Sequence, residues 1–179
     1  MNIPNKLTVI RILLVPVFIV CISIDVIKYG NIIGLVIFIV ASLTDALDGY
    51  IARKYNLITD FGKIMDPIAD KLLVISACVS FSAQGLIHHI WIIVIVFRDL
   101  IIDSMRVISA KKGIVLAADG IGKFKTAFQM ISIILILTYN AFPNLIDVKW
   151  GKGLFYGSMM LTIASAYMYI VKNIGIMNK

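Results

Sequence analysis

The chain has 179 residues, 60% of them hydrophobic, whereas soluble domains are about 45–50% apolar by a similar count. Its net charge is +7, but no basic run interleaved with aromatics is present. Nucleic acid is therefore excluded as a partner, and a membrane surface or an anionic substrate fits the charge better.

Apolar stretches long enough to cross a hydrocarbon core, roughly 20 residues each, recur along the chain. The first, Leu7–Ile24, is opened by NIPNKLTVIR, Asn2 to Arg11, in which Asn5, Thr8 and Arg11 repeat every three residues and stripe one helix face. Interfacial anchoring explains such a stripe, and contact with a nucleotide or phosphate would also use it. A cleaved leader is the other reading of residues 1–24. No small-x-small cleavage site is evident and removal would leave an odd number of spans, so retention is expected.

The second stretch, Asn31–Ala52, carries Asp45 and Asp48 and runs into Arg53-Lys54. The third, Gly62–Ala83, carries Asp66 and Asp70, and the fourth, Ile90–Ala110, carries Arg98, Asp99, Asp103 and Arg106. These three reach spanning length only with their charges included. Phe124–Phe142 and Leu154–Val171 complete six. Tyr29-Gly30, Tyr55-Asn56, Gln84-Gly85, Lys111-Lys112-Gly113 and Pro143-Asn144 separate them. His88 and His89, with Trp91 beside them, read as an interfacial belt, and Cys21 and Cys78 as buried thiols.

Lys6, Arg11, Arg53, Lys54, Lys63, Lys111, Lys112, Lys123, Lys125, Lys172 and Lys179 fall on one side of this layout, and only Lys28, Lys149 and Lys152 on the other. The positive side is cytoplasmic. The expectation is an all-α, multi-pass membrane protein of six transmembrane helices. Residues 1–179 would form a single domain, with both termini and a polar site on the cytoplasmic side.

All ten acidic residues are Asp, and five lie between Asp45 and Asp70. Asp45 and Asp48 are spaced i, i+3 and Asp66 and Asp70 i, i+4, so each pair shares a helix face. On two antiparallel helices all four reach one depth, where their repulsion calls for divalent cations. Gly49, Ala52 and Gly62 leave room for a bulky group near the backbone. Pro67 removes a backbone donor early in the third span. Asp60 reads as solvated. Pairing with Lys71, Arg98 or Arg106 is the plain alternative for any one Asp, and is much weaker for four at facing spacings. A cation transporter would spread its carboxylates over membrane depth, whereas these cluster at one end.

The cations nearby offer a pocket for an anion. Arg98 has no obvious i, i+4 acid and its neighbour Asp99 points elsewhere on an ideal helix. Arg106 has Asp103 at i−3 as a local partner. Lys123 and Lys125 read either as positive-inside anchors or as part of that pocket.

The pattern Asp45-x2-Asp48-Gly49-x2-Ala52-Arg53-x8-Gly62-x3-Asp66-x3-Asp70 resembles the signature of the CDP-alcohol phosphatidyltransferases, with every fixed position present. The six-span layout is similar as well. The resemblance implies transfer of a phosphatidyl group from a CDP-linked lipid to a small alcohol, with release of CMP, by a homodimer using Mg2+ or Mn2+, two ions per site. Position by position, it makes Asp45, Asp48, Asp66 and Asp70 the metal carboxylates and Asp70 the general base. Gly49, Ala52, Arg53 and Gly62 become the contacts to the cytidine diphosphate, and the stripe residues Asn5 and Thr8, at the same depth, are expected to join them. FRDLIIDSMR, Phe97 to Arg106, and GKFKTAFQM, Gly122 to Met130, resemble the branch whose acceptor is glycerol-3-phosphate, although Asp99 stands where that branch is expected to have Glu. Arg98, Arg106, Lys123 and Lys125 would then bind the acceptor phosphate. CDP-diacylglycerol is the implied donor and membrane lipid the surroundings, in a bacterial cytoplasmic membrane. Inositol phosphate, phosphatidylglycerol and serine are the alternative acceptors, serine the least fitting because it lacks a phosphate.

Overall fold

The computed structural model describes residues 2–24, 26–55, 59–111 and 120–177. The side chains of Ile3, Ala46, Arg53, Lys63, Ile121, Lys123 and of residues 174–177 lie outside that description. Six helices follow one another: α1 (Ile3–Ser23), α2 (Gly30–Lys54), α3 (Asp60–Ala83), α4 (Ile90–Lys111), α5 (Gly120–Ala141) and α6 (Val148–Met177). No strand occurs among the described residues.

α1 and α3 begin before their apolar stretches because side-chain caps, rather than hydropathy, set their first turns. The Asn2 side chain accepts the Asn5 N–H at 3.1 Å, and Pro4 occupies the first turn, so α1 starts before Leu7. The Thr59 side chain accepts the Gly62 N–H at 3.1 Å, so α3 starts at Asp60. Asp60, expected to be a solvated loop residue, is exposed in the first turn of α3, where a negative charge suits the helix dipole. Pro67 lies within α3 without ending it. His88 and His89 precede α4, and their rings stand 4.1 Å apart.

The bundle has an apolar core that also encloses polar side chains, and its outside is apolar. Phe18, Phe38, Phe81, Phe155 and Met159 fill its centre, and alongside them Thr8, Arg11, Asp48, Ser132, Ser158 and Thr162 are buried. Large apolar side chains such as Leu13, Val26, Phe97 and Met160 face outward. A soluble fold would leave so much apolar surface in water, whereas lipid accepts it. Four helices, α1, α2, α5 and α6, are long and apolar enough to cross a membrane. Charges on α3 and α4 keep those two outside that description by composition, although the bundle packs all six together. Cys21 and Cys78 are both buried, as expected.

Close packing at two glycines sets how α1 meets α2. A Cβ on Gly30 would lie 2.2 Å from the Cys21 carbonyl oxygen, and one on Gly34 2.6 Å from the Ile22 side chain. This is the small-residue spacing by which helices in lipid approach each other. Gly30→Ala should therefore lower stability by about 1–3 kcal/mol through overpacking against backbone. Gly157, whose Cβ position is open, serves as control. Gly157→Ala should cost nothing and can stabilise by up to about 1 kcal/mol through helix propensity. Thermal unfolding of both variants in detergent checks the contrast.

Candidate active site

The aspartate-bearing halves of α2 and α3 are joined by α1. The Arg11 guanidinium, 1% exposed, donates from Nη1 to Asp45 Oδ1 and from Nη2 to Asp48 Oδ2, both at 2.5 Å. One turn earlier, Thr8 Oγ1 lies 2.5 Å from Asp66 Oδ1 and 3.1 Å from the Pro4 carbonyl, so its single proton serves one or the other. One further turn back, the Thr59 hydroxyl donates to Asn5 Oδ1 at 2.8 Å. The stripe Asn5, Thr8 and Arg11 thus faces the carboxylates. Arg11, counted among the interfacial charges in sequence, is a buried ion-pair partner. The buried Asp48 needs a counter-charge, and a planar guanidinium meets it and the half-exposed Asp45 at once.

The four signature aspartates are brought into one region. Asp48 feels the charges of Arg11, Asp45 and Asp66, and Asp70 feels those of Asp45, Arg11, Lys125 and Asp99. They do not form a ready cage: no three Asp, Glu, His or Cys among the described residues converge as the ligands of one ion would. The donor chemistry nevertheless fits a hard divalent cation, since every member is a carboxylate oxygen. Gly62 adds an oxygen-lined niche. A Cβ there would stand 3.3–3.4 Å from Thr59 Oγ1, Asn5 Oδ1 and Asp66 Oδ2. Gly49 and Ala52 are half-buried on α2, and the Arg53 side chain is outside the described residues.

A second polar cluster lies where α3, α4 and α5 meet. A small cavity of about 110 Å3 is lined by Asp70, Lys71, Arg98, Asp99, Lys125 and Gln129, among others. Here the structure corrects the expectation for Arg98. Its Nη1 donates to Asp99 Oδ1 at 2.8 Å, and its Nη2 lies 3.4 Å from Ser165 Oγ. Adjacent Cα–Cβ bonds diverge on a helix, but a side chain as long as Arg can turn back to its neighbour. Lys125 Nζ is 3.9 Å from the same Asp99 oxygen, and the residue is 5% exposed, so it lies inside the bundle. Two cations share one carboxylate, leaving a net positive charge beside Asp70.

Arg106 is not in this cavity. Its guanidinium lies 5.8 Å from the centre of the Tyr169 ring, and Asp103, its expected partner, pairs with Lys71 on α3. The Lys123 side chain is outside the described residues. Sequence reasoning missed Asp99 as a pocket residue, because spacing alone turned it away. It also missed Gln129, which is buried and carries no charge to draw notice.

Residues 1–169 match the CDP-alcohol phosphatidyltransferase family. The chain belongs to that family. Three of its relatives carry the name CDP-diacylglycerol–glycerol-3-phosphate 3-phosphatidyltransferase. The protein of Bacillus subtilis (strain 168) is 35% identical over 183 positions, covering 96% of this chain and 95% of its own. That of Rickettsia bellii (strain RML369-C) is 34% identical, covering 94% and 93%. That of Salmonella paratyphi A (strain ATCC 9150 / SARB42) is 33% identical, also covering 94% and 93%. Against this phosphatidyltransferase background, the signature aspartates and the Arg11 that pairs two of them make one structural unit.

That unit predicts its own failure mode. Arg11→Met leaves Asp45 and Asp48 facing each other with no guanidinium between them. It should cost about 3–5 kcal/mol, as breaking buried pairs does. Adding Asp48→Asn should return a substantial part of the lost stability without restoring activity. Unfolding midpoints of the single and double variants in detergent test this.

Proposed function

We propose that the chain transfers the phosphatidyl group of CDP-diacylglycerol to glycerol-3-phosphate, giving phosphatidylglycerophosphate and CMP. The observation that carries this reading is the α3–α4–α5 cavity, which sets Asp70 beside the half-buried Arg98 and the buried Lys125. A small acceptor with a phosphate at one end and a hydroxyl at the other matches that arrangement. Arg98 and Lys125 would bind the phosphate, with Asp99 holding both in place until it arrives.

Asp70 would accept the proton of the acceptor's primary hydroxyl as its oxygen attacks the lipid-bearing phosphorus. The bond from that phosphorus to the CMP oxygen breaks, and CMP leaves. A carboxylate can serve as base where the hydroxyl comes within hydrogen-bond reach. Asn5, Thr8, Gly49, Ala52, Arg53 and Gly62 would form the surface for the cytidine diphosphate, the small residues giving it access to backbone. Asp45, Asp48, Asp66 and Asp70 would hold Mg2+ or Mn2+, two ions, which when bound neutralise the diphosphate and ease departure of the nucleotide.

On this reading the chain is one domain in a bacterial cytoplasmic membrane. All six helices span it, both termini are cytoplasmic, and two copies associate as a homodimer. Of the charges that lower the hydropathy of α3 and α4, Asp70, Lys71, Arg98 and Asp99 line the site.

The direct test offers purified protein in detergent, with CDP-diacylglycerol and Mg2+, a series of radiolabelled acceptors one at a time. Glycerol-3-phosphate should release CMP, and inositol phosphate, phosphatidylglycerol and serine should not. EDTA should abolish turnover and added Mg2+ or Mn2+ restore it. Asp70→Asn should lower kcat roughly a hundredfold to ten-thousandfold, the range of general-base catalysis, while CDP-diacylglycerol binding by equilibrium dialysis persists. Near-normal turnover of this variant would move the base elsewhere.

A further inference from the structure

Gln129 is 3% exposed, lies on α5 one turn beyond Lys125, and lines the same small cavity as Asp70, Arg98 and Lys125. Its side-chain Nε2 is buried and has no hydrogen-bond partner among the described residues. A buried amide donor left unmade is expensive, so such groups normally have a use. The neighbouring neutral groups are already engaged. The Thr126 hydroxyl donates to the Gly122 carbonyl, and the Ser132 hydroxyl donates to the Gln129 carbonyl on the backbone. Gln129 therefore offers the cavity a neutral donor that no described residue takes up.

We infer that the Gln129 carboxamide hydrogen-bonds the middle hydroxyl of a three-carbon acceptor and selects for it. This rests on the proposed use of the cavity for glycerol-3-phosphate. The charged groups are matched by the ends of such a molecule, with the phosphate at Arg98 and Lys125 and the primary hydroxyl at Asp70. The secondary hydroxyl, uncharged and central, is left for the uncharged amide. A four-residue step on α5 carries Gln129 about 6 Å along the helix from Lys125, a spacing suited to the next part of a short ligand rather than to the phosphate itself. A site that hydrogen-bonds a hydroxyl also rejects an analogue lacking it, because its own polar group is then stranded.

The test compares sn-glycerol-3-phosphate with 3-hydroxypropyl phosphate, which keeps both ends and lacks only the middle hydroxyl. The unmutated protein in detergent should favour glycerol-3-phosphate in kcat/KM. Gln129→Leu should lose roughly fivefold to tenfold with glycerol-3-phosphate, the scale of one neutral hydrogen bond. With 3-hydroxypropyl phosphate it should lose almost nothing, so the preference collapses, and the KM for CDP-diacylglycerol should hold. Gln129→Met, closer in length, provides the same readout if the leucine variant folds poorly. Equal losses with both acceptors, or an unchanged preference, overturn this inference alone, since Gln129 would then serve the phosphate or the fold. Failure of the unmutated protein to use glycerol-3-phosphate overturns the acceptor reading itself, and this inference with it.

Discussion

A guanidinium buried between two carboxylates governs this structure. In a bundle that turns its apolar side chains outward, Asp48 has neither water nor lipid headgroups to stabilise its charge, and Arg11 meets it and Asp45 together. The pairing ties the start of α1 to the later half of α2. Thr8, one turn away on the same face, reaches Asp66 on α3. The rotation and depth of α1 therefore set how the two halves of the aspartate pattern face each other. A shift of α1 by one residue would turn that face about 100° away.

From that anchor the polar interior extends across α3. Asp66 looks toward α1, while Asp70, one turn later, reaches the cavity shared with α4 and α5. Opposite charges meet along this path. Arg11 answers Asp45 and Asp48, Arg98 and Lys125 share Asp99, and Lys71 meets Asp103. On the proposed reading, the donor's diphosphate meets the first cluster and the acceptor's phosphate the second, with Asp70 between them. Two anionic substrates would thus enter a site whose cations are held in place before either arrives, which is the economy of preorganisation.

The glycines divide into two kinds. Gly30 and Gly34 let α1 and α2 touch, and a side chain there would strike Cys21 or Ile22. Gly62 instead leaves a niche walled by oxygens of Thr59, Asn5 and Asp66. The aspartate pattern around Gly62 marked its use in the sequence, whereas nothing around Gly30 and Gly34 announced a close helix contact. What differs is what stands opposite each one.

Class, helix number and the aspartate pattern were legible in the sequence because each is local. Composition reports the solvent, breakers such as Tyr29-Gly30 and Pro143-Asn144 interrupt helices, and i, i+3 or i, i+4 spacing assigns carboxylates to one face. Those same features carried the resemblance to the CDP-alcohol phosphatidyltransferases. Tertiary structure alone decided which partner each long charged side chain found. It made Arg11 a buried bridge rather than an anchor, turned Arg98 back to Asp99, gave Asp103 to Lys71 and left Arg106 over Tyr169. It also buried Gln129, which no spacing singled out. The reason is physical. Lipid and protein interior are equally apolar, so hydropathy does not mark the inward face of a membrane helix. Phe18 is buried and Leu13 exposed on the same α1. Only packing against the other helices fixes that rotation, and with it the reach of every polar side chain.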